Sequence, residues 1–211
     1  MIYCYQFNQL NFIYCKKNNM KFRIFLFLIF ISSLTSCSIN GSFQGLFSYY
    51  KKTKKEGKIN FLKFDTNNDY LNSYSDSTTI VLSNGKEIKK YLKNFEKSII
   101  YIWSPKCKSR FCYSLNLLQE ICSQKGIELF VVAEYYDSKY MSKNYKISHL
   151  IIGIDTQYYK TNLTSKYLSK FIKDLIDEVD DTTFKEIYNA KFFSFRNGKF
   201  EKSFDSIEDI K

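Results

Sequence analysis

Cys107 and Cys112 lie five residues apart in Trp103-Ser104-Pro105-Lys106-Cys107-Lys108-Ser109-Arg110-Phe111-Cys112. Lys106, Lys108 and Arg110 crowd the first thiol with positive charge, and positive charge favours the thiolate, which is the nucleophilic form. Two chemistries suit such a pair. In thiol–disulfide exchange, Cys107 attacks a substrate disulfide and Cys112 resolves the mixed disulfide. In thiol peroxidation, Cys107 is oxidised to a sulfenic acid with which Cys112 condenses. The plain alternatives are an inert helix-capping thiol at Cys107 and simple packing at Cys112. Cys122 falls on an apolar stripe and reads as core, where a free cysteine behaves as a small hydrophobe. His149 is the only histidine and reads as structural. One histidine and scattered thiols make a poor zinc site. The sequence has no Gly-rich phosphate loop, H-E-x-x-H pair or nucleophile elbow, so no metal and no cofactor is expected.

The elements around these cysteines follow from periodicity. Ser98 to Trp103 is a compact apolar run that suits a strand buried on both faces of a parallel sheet. Cys107 to Lys125 reads as a helix carrying Leu115, Leu118, Ile121 and Cys122 on one stripe, with Gly126 as its C-cap. That reading puts Cys107 at a helix N-terminus, where unpaired N–H groups and the macrodipole add to the pull toward thiolate. On an intact helix, Cα atoms five residues apart are ~8.6 Å from one another. A disulfide needs less than about 7 Å, so bonding Cys107 to Cys112 would require the first turn to unwind.

Upstream, Ile59–Phe64 and Thr78–Leu82 read as short strands, Asn84-Gly85 as a turn, and Lys86–Glu96 as an amphipathic helix. Downstream come a strand over Ile127–Ala133, a short helix through Tyr140, a strand over His149–Ile154 and a helix over Ser165–Val179. Lys191–Phe195 and Lys199–Phe204 flank Arg196-Asn197-Gly198 as a hairpin, and Ser206–Lys211 starts a last helix. Strands alternating with helices and closing in a hairpin predict an α/β sandwich around a mixed sheet. Trp103, Ile102, Leu118, Val131, Phe171 and Phe193 are its expected buried residues.

A buried strand, Trp-Ser-Pro-Lys-Cys, a helix, and the final Phe-Phe-Ser-Phe-Arg-Asn-Gly-Lys-Phe hairpin resemble the thioredoxin fold. The extra strand around Ile151 looks like the exported thioredoxin-like reductases and redoxins. The resemblance covers about residues 78 to 211. It implies that Cys107 takes the position of the attacking cysteine and Trp103 that of the preceding tryptophan. The departures are specific. Arg110 stands where the family has its resolving cysteine, Ala190 where it has a cis-proline before the hairpin, and Tyr101 where many relatives bury a carboxylate or amide. The C-x4-C spacing itself is similar to that of peroxiredoxins of the bacterioferritin-comigratory type. Ser104 matches their Thr/Ser position, but Ile100 stands where their motif has proline. The resemblance leaves three functions open: a thiol–disulfide oxidoreductase, a thiol peroxidase, and a catalytically inactive module that binds a partner protein around Cys107 and Ala190.

At the N-terminus, Lys21 and Arg23 precede the apolar run Ile24–Ile31, which is far shorter than the ~20 residues that span a bilayer. Leu34-Thr35-Ser36-Cys37 follows and resembles the lipobox of bacterial lipoproteins, which implies lipidation at Cys37. The expected organisation is a misassigned start over 1–19, a signal peptide over 20–36, a polar lipid-anchored tether over 37–58, and a thioredoxin-like domain over 59–211. The expected location is the cell envelope, on the outer membrane facing the periplasm. The full chain carries a net charge of +11, and removing residues 1–36 with Lys16, Lys17, Lys21 and Arg23 leaves +7. The excess concentrates at Lys51, Lys52, Lys54, Lys55 and Lys58. An exported lipoprotein makes nucleic acid an unsuitable partner for that run, which reads as a solvated linker beside an anionic membrane. The expected partners are protein thiols or disulfides, or a redox partner protein, met by a monomer.

Overall fold

The computed structural model describes residues 45–65, 78–107, 112–176 and 179–210. Seven strands form one sheet: β1 Asn60–Lys63, β2 Thr79–Ser83, β3 Lys97–Trp103, β4 Glu128–Ala133, β5 Ile151–Ile154, β6 Phe192–Arg196 and β7 Lys199–Phe204. Their order across the sheet is β1-β2-β5-β4-β3-β6-β7. The first five pair in parallel, while β6 and β7 run antiparallel to their neighbours. β3 therefore sits inside the sheet, between β4 and β6.

Among the described residues, six α-helices cover the two faces: α1 Tyr50–Lys55, α2 Gly85–Leu92, α3 Leu115–Gln124, α4 Ser138–Met141, α5 Thr164–Leu175 and α6 Asp181–Tyr188. Alternate residues of each strand feed opposite cores, as the two-residue period of a strand requires. Ile100, Ile102, Phe130, Val132, Ile152 and Phe193 pack with α2, α5 and α6. Ile99, Tyr101, Trp103, Leu129, Val131 and Phe192 pack with α1, α3 and α4. The α/β sandwich with a mixed sheet is as the alternating pattern predicts, and the architecture is compatible with a thioredoxin-like fold. All six expected core residues are buried.

Local chemistry explains several boundaries. Asn84 is not in a turn. Its side chain accepts the Glu87 N–H and the Glu87 carboxylate returns to the Asn84 N–H, a capping box that starts α2 one residue earlier than expected. Gly85 is required there, because a Cβ would fall 2.3 Å from the Phe171 carbonyl oxygen. The hairpin turn has Asn197 at φ 49° and Gly198 at φ 74°, the left-handed pair that a two-residue hairpin demands. The last helix is only a 3-10 turn over Ile207–Asp209. α6 was not foreseen; Asp180 caps it by accepting the Thr182 and Thr183 N–H groups, and Phe184 and Ile187 are its buried face.

The tether expected over 37–58 does not extend to residue 58. Ser48, Tyr50 and Thr53 are buried, the Ser48 N–H donates to the Asn162 carbonyl, and the Tyr136 N–H donates to the Ser48 carbonyl. Tyr50 packs edge-on against Phe61 and Tyr136. This stretch looks polar in sequence because its lysines face outward while two residues of one helical face anchor it. No helix among the described residues is long and apolar enough to cross a membrane. Residues 1–44, and with them the signal peptide and Cys37, lie outside the described residues.

Candidate redox site

The chain leaves β3 at the end of the sheet where the parallel strands finish, the edge at which open α/β sheets carry their functional loops. It does not enter a helix. Ser104 to Cys107 form a β-turn closed by the Cys107 N–H on the Ser104 carbonyl, 3.0 Å. Pro105 occupies the second position of that turn, where its fixed φ suits. The helix expected from Cys107 begins only at Leu115. Cys107 is therefore not at a helix N-terminus, and the macrodipole contributes nothing to it. The proline-initiated turn competes locally with helix, since the residue before a proline is pushed toward extended backbone.

Cys107 and Cys112 are joined in a disulfide, with Cα atoms 5.8 Å apart. This separation is well short of the intact-helix distance, and α3 starts after Cys112. Cys107 is exposed and Cys112 half-buried. Lys108 and Arg110 lie outside the described residues. Among the described residues the remaining cysteine, Cys122, is a free thiol fully buried on α3, and burial pushes its pKa up to about 11.

The turn is held by the segment that follows β4, which the sequence reading did not single out. The Ser104 hydroxyl donates to the Glu134 carboxylate, and the Glu134 N–H donates to the Trp103 carbonyl at 2.8 Å. The Tyr135 hydroxyl accepts the Lys106 N–H at 3.0 Å. Burial raises the Tyr135 pKa, so this phenol stays protonated and keeps a donor of its own. The Lys106 ammonium lies 2.8 Å from the Asp137 carboxylate, and that hydrogen bond holds the Lys106 pKa above its ordinary value. The cation adjacent to Cys107 in sequence is thus paired with an acid. Glu134-Tyr-Tyr-Asp137 gave one usable signal, a polar cluster at the end of a buried parallel strand.

The Cys112 side is anchored differently. Tyr113 packs against Tyr101 and Phe192, and its hydroxyl accepts the Ile207 N–H at 3.3 Å. Tyr101 stacks on Phe192 at 4.8 Å. Burial raises its phenol to about 12, so it is no proton acceptor near neutrality. Trp103 is buried against Tyr145. Ala190 is buried too, and the Ile102 N–H on the Lys191 carbonyl carries the β3–β6 pairing up to it. That pairing brings Ala190 to the same end of β3 as the disulfide turn. His149 is remote from this site; it stacks on Phe130 and meets Glu128 at 2.9 Å. No group of metal-ligating side chains is present among the described residues.

Comparisons with protein-family models, with curated proteins and with solved structures returned no match.

Proposed function

We propose that the chain is a thioredoxin-like thiol–disulfide oxidoreductase, tethered to the outer surface of a membrane through a lipidated Cys37. The observation that carries this reading is the exposed Cys107, four residues past the end of the central strand β3, joined to a half-buried Cys112. Such a disulfide presents one sulfur to a partner and shelters the other. In the reduced protein, the Cys107 thiolate attacks a substrate disulfide and expels one substrate thiolate. Cys112 thiolate then attacks the Cys107 sulfur, releases the second substrate thiolate, and regenerates the bond seen here. Two electrons pass from the cysteine pair to the substrate, and the released thiolates take protons from solvent. An external dithiol returns the pair to the reduced form.

Insulin reduction with dithiothreitol as electron donor tests the activity. Acceleration that disappears in Cys107→Ser supports the oxidoreductase. Peroxide consumption that depends on Cys107 would instead make it a thiol peroxidase, and absence of both would leave a binding module. The location is tested separately. Cys37→Ser should release the protein from membranes or leave the precursor uncut, and a cleaved variant that still fractionates with membranes overturns the lipid anchor.

A further inference from the structure

We infer that the face formed by α1, the 156–162 loop and Leu46–Phe47 is a docking surface for an anionic phospholipid bilayer. In α1 the buried Tyr50 and Thr53 set one helical face inward. Lys51, Lys52, Lys54 and Lys55 therefore point away from the core, and Lys58 follows them; all five are exposed. The single acid of this stretch, Glu56, accepts a hydrogen bond from Ser138. A charge run on a structured helix is confined to its outward half, unlike a run on a solvated linker.

A shallow cleft lies against this helix. Lys51 and Lys160 line it together with Thr156, Gln157, Thr161 and Asn162. Two ammonium groups with hydroxyl and amide donors around them suit the phosphate of a lipid headgroup. The rim of the same region is apolar. Leu46, Phe47 and Tyr158 are 43%, 42% and 47% exposed. Leu46 and Phe47 are held beside the loop by the Thr164 N–H on the Leu46 carbonyl and by the bridge between Phe47 and Leu163. Exposed aromatic and aliphatic side chains interleaved with lysines are what an interface between headgroups and acyl chains selects: the rings sink to the boundary while the ammonium groups stay in the headgroup layer. A duplex nucleic-acid backbone would use the lysines but leave the apolar rim without a partner.

The length of chain outside the domain points to the same occupant. In the anchored form proposed above, the eight residues from Cys37 to Asn40 and Gly41 to Gln44 reach at most about 28 Å when fully extended. That reach bounds the distance of Gly45 from the bilayer and keeps α1, which begins five residues later, near it. The docking surface does not depend on the anchor, however, and is tested without it.

The test uses the chain from Ser38 onward, which contains every strand and helix described and both cores, but has no acyl chain. It is sedimented with vesicles of phosphatidylcholine alone, or of phosphatidylcholine and phosphatidylglycerol in equal parts. Binding to the anionic vesicles alone is expected, with release in about 1 M salt, where screening acts within ~3 Å. Lys51→Gln and Lys160→Gln should each weaken binding about fivefold. Tyr158→Trp should show an emission shift to the blue on addition of anionic vesicles. Circular dichroism checks that each variant is folded. The inference is overturned if the folded chain ignores anionic vesicles, if both lysine variants bind as tightly as the parent, or if a DNA duplex binds as well as the vesicles. None of these results bears on insulin reduction or on Cys37, so failure here leaves the proposed activity and anchor to their own tests.

Discussion

Cys112 and Cys122 stand ten residues apart in sequence, yet their surroundings are opposite. Cys112 lies in a loop, half-buried, joined to the exposed Cys107. Cys122 is on α3, fully buried in the same core cluster as Leu118 and the sheet residues Leu129 and Val131. The disulfide of Cys107 and Cys112 is open to solvent on its Cys107 side. The second thiol is held away from solvent, and burial lifts its pKa to about 11, so it is neither ionised nor reachable at neutral pH. The difference comes from the segment on which each thiol sits: Cys112 lies before the first residue of α3 and is half-buried, whereas the amphipathic α3 turns Cys122 inward.

The contrast is broken most sharply by removing Cys107. Cys107→Ser should reduce insulin-reducing activity to the rate of dithiothreitol alone. Cys112→Ser should trap mixed disulfides on Cys107, visible as adducts in intact-mass spectra. Finding Cys107 bonded to Cys122 after mild oxidation would erase the distinction between the two environments.

Cys122→Ser leaves activity unchanged but should lower stability by about 1–3 kcal/mol, because a hydroxyl replaces a thiol in an apolar site. Urea titration measures it. The raised thiol pKa adds a pH dependence. The folded protein keeps the Cys122 proton more firmly than the unfolded chain does, since its pKa rises from 9.0 to about 11. The stability it contributes is therefore complete below pH 9 and declines as pH climbs through 11. Tyr101, raised from 10.0 to about 12, acts in the same sense one unit higher. In Cys122→Ala the decline between these pH values should be shallower than in the parent by about 2 kcal/mol. Parallel curves would mean that Cys122 is not desolvated.

Much of this arrangement was legible in the residues alone. Ile99 to Trp103 could only be an interior strand, because five consecutive apolar residues leave no solvent face, and it is flanked on both sides. The hairpin was legible because Asn197-Gly198 stands between two strand-like runs, whereas Asn84-Gly85 precedes a helical pattern and caps a helix instead. The course of the chain after Trp103 was not. An apolar stripe through Leu115, Leu118 and Cys122 identifies a helix but not its first residue, and extending it back to Cys107 gave that cysteine a helix dipole it lacks. The braces from Glu134, Tyr135 and Asp137 join segments about thirty residues apart, a proximity that only the parallel pairing of β3 and β4 creates. α1 was hidden for a related reason: Tyr50 and Thr53 are too few to reveal a buried face until Phe61 and Tyr136 are seen against them.

The brace from Tyr135 has a moderate expected effect. Tyr135→Phe removes the acceptor for the Lys106 N–H while keeping the ring. A loss of about 1 kcal/mol is expected, with faster amide exchange at Lys106 and little change elsewhere. An unchanged exchange rate at Lys106 would show that the turn holds itself without the post-β4 segment.

The smallest effect concerns charge beside Cys107. Lys106 is adjacent to Cys107 in sequence, and its ammonium is paired with Asp137 at 2.8 Å, so each charge offsets the other. Asp137→Asn keeps the shape and leaves the ammonium uncompensated, so the Cys107 thiolate of the reduced protein should gain. Lys106→Ala leaves the carboxylate instead, and the thiolate should lose. A unit charge roughly 7 Å away through water is worth about 0.6 kcal/mol, or about threefold in thiolate population. Iodoacetamide alkylation of reduced Cys107 at pH 7 should therefore speed up about threefold in the first variant and slow by a similar factor in the second, both converging on the parent rate in high salt. Cys122 serves as the internal control, since its burial leaves it unlabelled in all three proteins. Identical Cys107 rates in the two variants would mean that the pair fixes the turn mechanically and contributes nothing to the reactivity of the thiol.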